Sequence, residues 1–203
     1  IHAMAIHKDP REQDPVRRYK AIGNRVMGKT LTATSPDGFH WTDFESAVES
    51  RGDTMTSLFW SRILGRYLYV TRIYNGQRKV AISESKDFKT WTKTKLVLEG
   101  TRNAQTYCMV TFEHAGVFIG LPVIFRTRPI DRCHPELAWS PDGYTWHRID
   151  EGTPLIPLGE KKYESYDWGC IYPARDPMVM PDGTIRLYYG ASNGKHTSWR
   201  QGF

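Results

Sequence analysis

An all-β chain of repeated four-stranded antiparallel blades, a β-propeller, is the fold class this sequence predicts, and three observations predict it. A turn phrase occurs three times, as Ser35-Pro-Asp37-Gly-Phe-His-Trp41, Ser85-Lys-Asp87-Phe-Lys-Thr-Trp91 and Ser140-Pro-Asp142-Gly-Tyr-Thr-Trp146. Its tryptophans lie 50 and 55 residues apart, a period typical of units that bury their apolar faces only by stacking on a neighbour. Between the phrases run short segments rich in β-branched and aromatic residues. No long stretch carries apolar residues at i, i+3, i+4 and i+7 between caps, so helices are not expected.

The elements follow in chain order. Asp9-Pro-Arg-Glu-Gln-Asp14-Pro15 is loop-like, so the first unit is expected to start at its second strand, Arg18-Tyr-Lys-Ala-Ile-Gly23, and to end after the first turn phrase. In the second unit Ser57-Leu-Phe-Trp60 turns at Leu64-Gly65 into Arg66-Tyr-Leu-Tyr-Val-Thr-Arg72. The third repeats this with Met109-Val-Thr-Phe112, His114-Ala-Gly116 and the run ending at Pro122. The fourth does so with Met178-Val-Met180, Pro181-Asp-Gly183 and Thr184-Ile-Arg-Leu-Tyr-Tyr-Gly190. In the phrases Asp and Gly supply the turn conformations and Trp supplies apolar area directly after them. A unit therefore reads strand, turn, strand, strand, Asp turn, Trp-bearing strand, which is the composition of a propeller blade. A β-sandwich accounts for the strands but not for their spacing. The units fall at 16–50, 51–100, 101–160 and 161–203 of one domain. Both ends read as cut, so the chain is expected to be a segment of a longer propeller, able to self-associate through incomplete blades.

Composition narrows the partners. The formal charge is +6, yet the basic residues are interspersed with acids and form no long run, so a nucleic-acid partner is not expected. No 18-residue apolar run exists, which excludes a membrane-spanning helix of the usual kind. Cys108, Cys133 and Cys170 are scattered and odd in number, matching neither a disulfide framework nor zinc spacing. A soluble protein is expected, with the compartment open and secretion or a periplasmic location included.

Arg175-Asp176-Pro177, followed by Met178-Val-Met-Pro-Asp-Gly-Thr-Ile-Arg-Leu-Tyr-Tyr189, resembles the Arg-Asp-Pro strand of the five-bladed propeller glycoside hydrolases, the group of families 32, 43, 68 and related mannoside-acting enzymes. The turn phrases are similar to the blade turns of that group. Asp14-Pro-Val-Arg-Arg-Tyr-Lys20, Gly52-Asp53 with Phe59-Trp60, and Glu136-Leu-Ala-Trp-Ser-Pro-Asp-Gly143 resemble bacterial proteins described as family 32-like, in order along nearly the whole chain. The resemblance implies five blades in the complete protein, hydrolysis of an oligosaccharide or polysaccharide, and no obligatory cofactor or metal. It also implies three acids: a base or nucleophile from the first blade, an Asp of the Arg-Asp-Pro strand that stabilises the transition state, and a general-acid Glu. Asp176, with Arg175, matches by motif. The Asn-Asp-Pro-Asn-Gly signature is absent, and Glu136 is followed by Leu137 and not by Cys.

Glycosidic hydrolysis needs two carboxyl groups flanking the bond, about 5 to 5.5 Å apart for retention and about 6.5 to 9.5 Å for inversion. The innermost strands of propeller blades converge on one axis, so acids at the starts of first strands are the catalytic candidates: Asp53, Asp167 and Asp176, with Glu136 reaching in from the side. Arg175 and Arg72 are candidates to hold a carboxylate or substrate, and Trp168 and Tyr107 to stack on sugar rings. Arg175 and Asp176, as strand neighbours, are expected on opposite faces and not paired. An Asp before a strand also serves as a turn cap, and an aromatic residue there as core, so structural roles stand beside each functional one. The alternative to a hydrolase is a non-catalytic propeller that binds glycan or protein through the same funnel.

Overall fold

The computed structural model describes residues 2–25, 29–42, 44–49 and 55–200. Blade one is the antiparallel sheet β1 (His2–Lys8), β2 (Tyr19–Arg25), β3 (Lys29–Ser35) and β4 (Glu45–Glu49), in that order. Blade two repeats it with β5 (Ser57–Ser61), β6 (Arg66–Tyr74), β7 (Arg78–Ser85) and β8 (Lys95–Glu99). Blade three holds β9 (Ala104–His114), β10 (Val117–Arg126), β11 (Arg132–Pro135), β12 (Leu137–Ser140) and β13 (His147–Ile149). The remainder is β14 (Cys170–Pro173), β15 (Met178–Val179), β16 (Ile185–Arg186) and β17 (Tyr189–Ser192).

The turn phrases fold alike because each is closed by its own side chains. Ser35 Oγ accepts from Gly38 N at 2.8 Å, and Asp37 Oδ1 accepts from Phe39 N and His40 N, both at 2.8 Å. Ser85 with Asp87, and Ser140 with Asp142, make the same bonds to the same relative positions. Trp41 and Trp146 each donate their indole N–H to the glycine carbonyl of the turn, at 3.0 and 2.9 Å. The third residue after Ser takes positive φ in all three, +85° at Gly38, +78° at Gly143 and +64° at Phe88. Phe88 tolerates it because its ring is buried against Tyr67 and Trp91.

Strand alternation explains how the blades pack. In β6, Tyr67 and Tyr69 point into a cluster with Ala5, Ile22 and Leu58, joining blades one and two. Leu68 and Val70 point the other way, into Met109 and Phe118 of blade three. A third cluster of Cys108, Val123, Phe125, Cys133 and Cys170 joins blade three to β14, with Met55 and Tyr107 against it.

Two sequence expectations are corrected. Blade one has its first strand: β1 lies before the polar loop and pairs with β2, placing Ala5 opposite Ile22 in the core, so the unit spans 2–49 and not 16–50. In the fourth unit, Tyr189 to Ser192 pairs with β14 and not with the Met178 run. There β15 and β16 form a two-residue ladder whose Met178, Val179 and Ile185 are exposed, so no packed face extends it.

Candidate ligand-binding site

The first strands of blades two and three and the strand β14 begin near the third core cluster, and a second layer of side chains sits on it. The alternation that sends Leu68 and Val70 toward blade three carries Arg72 to the same side, and the hairpin at Gly76 brings Arg78 beside it, opposite Tyr74. The Arg72 guanidinium lies 4.6 Å from the centroid of the Tyr107 ring, and that of Arg78 5.4 Å from Tyr107 and 4.9 Å from Phe125. Each cation faces the negative quadrupole of a ring. Burial pushes the Arg72 guanidinium below its ordinary pKa, with Tyr107 acting the other way. Arg78 Nη1 donates to Gln105 Oε1 at 3.1 Å, and no carboxylate among the described residues pairs with Arg78.

Aromatic rings continue the cluster outward. Tyr107 contacts Tyr172 at 5.5 Å and His196 at 5.2 Å between centroids. Trp199 stacks on Tyr172 at 5.9 Å with planes 27° apart and is 51% exposed. A half-exposed indole backed by a second ring can stack on the apolar face of a sugar, and the ring chain leads from it to the guanidinium donors on Tyr107. The three thiols beneath are buried; desolvation pushes that of Cys108 up to about 12 and raises that of Cys133, whereas the hydrogen bond with Cys133 lowers that of Cys170. No group of three or more metal-ligating side chains occurs among the described residues.

Of the sequence candidates, Arg72 and Tyr107 meet here. Asp53 lies outside the described residues. Asp167 is half-buried in a turn, where its carboxylate sits against Gly159, in space a Cβ at that position would occupy. Trp168 is buried under Tyr163 and Arg132, at 5.0 Å from each, which leaves no open ring face for a sugar.

Glu136 does not reach a funnel. It is fully buried, and Arg148 grips it with Nε at 3.0 Å and Nη2 at 2.5 Å, while Gly152 N donates at 3.2 Å and His134 Nε2 lies at 3.4 Å. Burial acts to raise its pKa, but His134 and Arg148 outweigh it and hold the carboxyl below the ordinary range. That arrangement fixes a charge; it does not free a proton.

Arg175 and Asp176 also differ from expectation. They form a bend with φ of +63° at Asp176, and their side chains pair at 2.8 Å. The left-handed residue breaks the strand that would have sent them to opposite faces. Arg175 also donates to the Ile6 carbonyl, tying the bend to β1. Asp176 lines a cleft of about 520 Å³ with Trp60, Phe112 and Glu113. Glu113 and Tyr107 are six residues apart on β9, which sets the two regions about 20 Å apart along the strand.

Sequence reading missed Arg78, Tyr172, His196 and Trp199. A Trp in the polar segment after Gly194, without alternating apolar neighbours, was the one available signal.

No family model and no curated protein matches this chain. Solved structures do. The chain is similar to an N-acetylgalactosamine deacetylase from F. plautii solved with blood group B trisaccharide (TM-score 0.58, 15% identity, 94% of this chain and 80% of that one). It is also similar to a sucrose-6-phosphate hydrolase from Lactobacillus gasseri (0.60, 14%, 92% and 40%) and a β-1,2-mannobiose phosphorylase from Listeria innocua (0.63, 14%, 88% and 54%). It thus spans about half the length of the latter two or less. The fold is the β-propeller fold of these glycoside-active enzymes.

Proposed function

We propose that this chain belongs to a carbohydrate-active hydrolase that binds an oligosaccharide or polysaccharide at the Tyr107–Trp199 end of the propeller. The observation that carries this is the half-exposed Trp199 ring, stacked on Tyr172, which in turn contacts the Tyr107 ring that carries the arginine pair. Stacking would hold the sugar ring, and the guanidinium groups would orient it by hydrogen bonds that need no cofactor. Bond cleavage requires two carboxyl groups on either side of the glycosidic oxygen. In this reading they are Asp167, which precedes β14, and Asp53, two positions before Met55 in the sequence.

A second reading is a non-catalytic glycan-binding propeller. It is favoured by the engagement of Glu136 with Arg148 and by the pairing of Asp176 with Arg175, which leave two of the four candidate acids in structural bonds. Screening fructosides, arabinosides, xylosides and mannosides for both binding and cleavage separates the two. The hydrolase reading expects cleavage that falls by about a hundredfold or more in Asp53→Asn and Asp167→Asn while binding persists. Binding without cleavage by the intact protein leaves the second reading.

A further inference from the structure

We propose that Asp131 and His196 form a dyad that presents the His196 Nε2 to the ligand and, with Arg78, makes the site select a sugar bearing an anionic group. This rests on the Tyr107–Trp199 end being the ligand site.

His196 is positioned from several sides. Its backbone N–H donates to the Asp131 carbonyl at 2.9 Å, and its ring lies 4.5 Å from Phe125 and 5.2 Å from Tyr107. The adjacent Lys195 donates from Nζ to the Pro129 carbonyl at 3.0 Å, and Thr197 donates its amide at 3.3 Å, and its hydroxyl, to Asp131 Oδ2. Asp131 is 3% exposed, and its remaining oxygen, Oδ1, faces His196 Nδ1 at 3.9 Å. At that distance the two do not hydrogen-bond, and both atoms are buried without a hydrogen-bond partner. A carboxylate oxygen can satisfy a ring nitrogen only when that nitrogen carries the proton, so the proposed dyad requires the Nδ1–H tautomer. The proposed dyad also requires a turn of the ring that brings Nδ1 within hydrogen-bond distance of Oδ1. Nε2 then presents a lone pair along the edge of the ring that remains solvent-reachable.

The charges around the ring keep it neutral. Burial, Arg78 and Arg72 lower the His196 pKa, and Asp131 opposes them. A neutral imidazole with Nδ1–H accepts a hydrogen bond at Nε2, so it selects a hydroxyl donor. Arg78 asks for the opposite chemistry. Its guanidinium is half-buried on two aromatic rings with Gln105, a neutral amide, as its side-chain partner. An anion there would gain a charge-assisted bond in a setting of reduced dielectric. One hydroxyl donor and one anionic group within a few ångströms describe a uronic acid residue or a phosphorylated sugar.

Isothermal titration of the intact protein tests this with trigalacturonate, galactotriose and galactose 6-phosphate. The acidic ligands are expected to bind about tenfold or more tighter than galactotriose, and preference between the first and third identifies carboxylate or phosphate. Arg78→Met should abolish that difference by lowering affinity for the acidic ligands far more than for galactotriose. His196→Leu should weaken all three, and His196→Gln, which keeps an acceptor, should restore part of the loss. The ring ¹⁵N shifts of His196 should report the Nδ1–H tautomer, and Asp131→Asn should convert it to a mixture. Equal affinity for acidic and neutral ligands, or a preference that survives Arg78→Met, overturns the inference alone; an Nε2–H tautomer does the same. Failure to bind any sugar overturns the site reading with it.

Discussion

Strand β9 has two ends of opposite character. At its start, Tyr107 carries two arginines on its ring, and Arg78 there finds a neutral amide in place of a carboxylate. At its finish, carboxylates are present and all engaged. Glu113 accepts from Ser61 Oγ and from the backbone amides of Arg62 and Ile63, closing the β5–β6 turn. Asp9 accepts from the Tyr67 hydroxyl and joins blades one and two, and Asp176 is paired with Arg175. Acids at the finish hold the blades together, whereas at the start Arg78 is held by rings and a neutral amide. Acidic residues in a sequence mark a site only when folding does not consume them.

Substitutions should separate the ends by what they damage. The largest expected effect is on stability and lies at neither end: Arg148→Met strands the buried Glu136 charge and should cost about 3–5 kcal/mol. Urea unfolding measures it, and ligand affinity in the folded fraction should not change. At the finish of β9, Glu113→Gln should cost about 1–3 kcal/mol through weakened acceptance at the turn, again without altering binding. A change in affinity with either variant would show that the two ends are coupled.

Below about pH 4 acid should act on the turns. Backbone amides hold the carboxyls of Asp37 and Asp142 below the ordinary range and that of Asp87 at about 2. A folded-state pKa below the unfolded value of about 4 contributes stability above that value and loses it as pH falls through the folded one. The thermal midpoint should therefore decline as pH falls from about 4 toward 2. Asp87→Asn should flatten that decline, and an unchanged slope would remove the turns as its source.

The turns were legible in the sequence because their bonds close within seven residues. Ser Oγ and Asp Oδ1 meet amides two and three positions on, so the residue order carries the geometry. The first strand was hidden by the polar loop that separates it from its partner. Arg72 and Tyr107 could be named, but their meeting depends on the packing of blade two on blade three. The grip on Glu136 arises because β12 pairs with β13, setting Ala138 opposite Arg148, and no local pattern announces it. Asp131 and His196 are 65 residues apart and meet through a loop without periodicity. The Arg175–Asp176 pairing turned on a single left-handed residue, which alternation rules cannot foresee.

The smallest expected effect on the fold accompanies the most informative one on binding. Trp199 is half-exposed, so Trp199→Ala should change stability by no more than about 1 kcal/mol. The direct test of where the ligand sits is a titration of Trp199→Ala and Asp176→Asn side by side, against fructo-, arabino-, xylo- and manno-oligosaccharides. Loss of a stacking platform should weaken binding about tenfold or more in Trp199→Ala, while Asp176→Asn stays within about twofold of the unaltered protein. The reverse pattern, with Asp176→Asn abolishing binding and Trp199→Ala leaving it intact, would move the site to the finish of β9 and contradict the assignment.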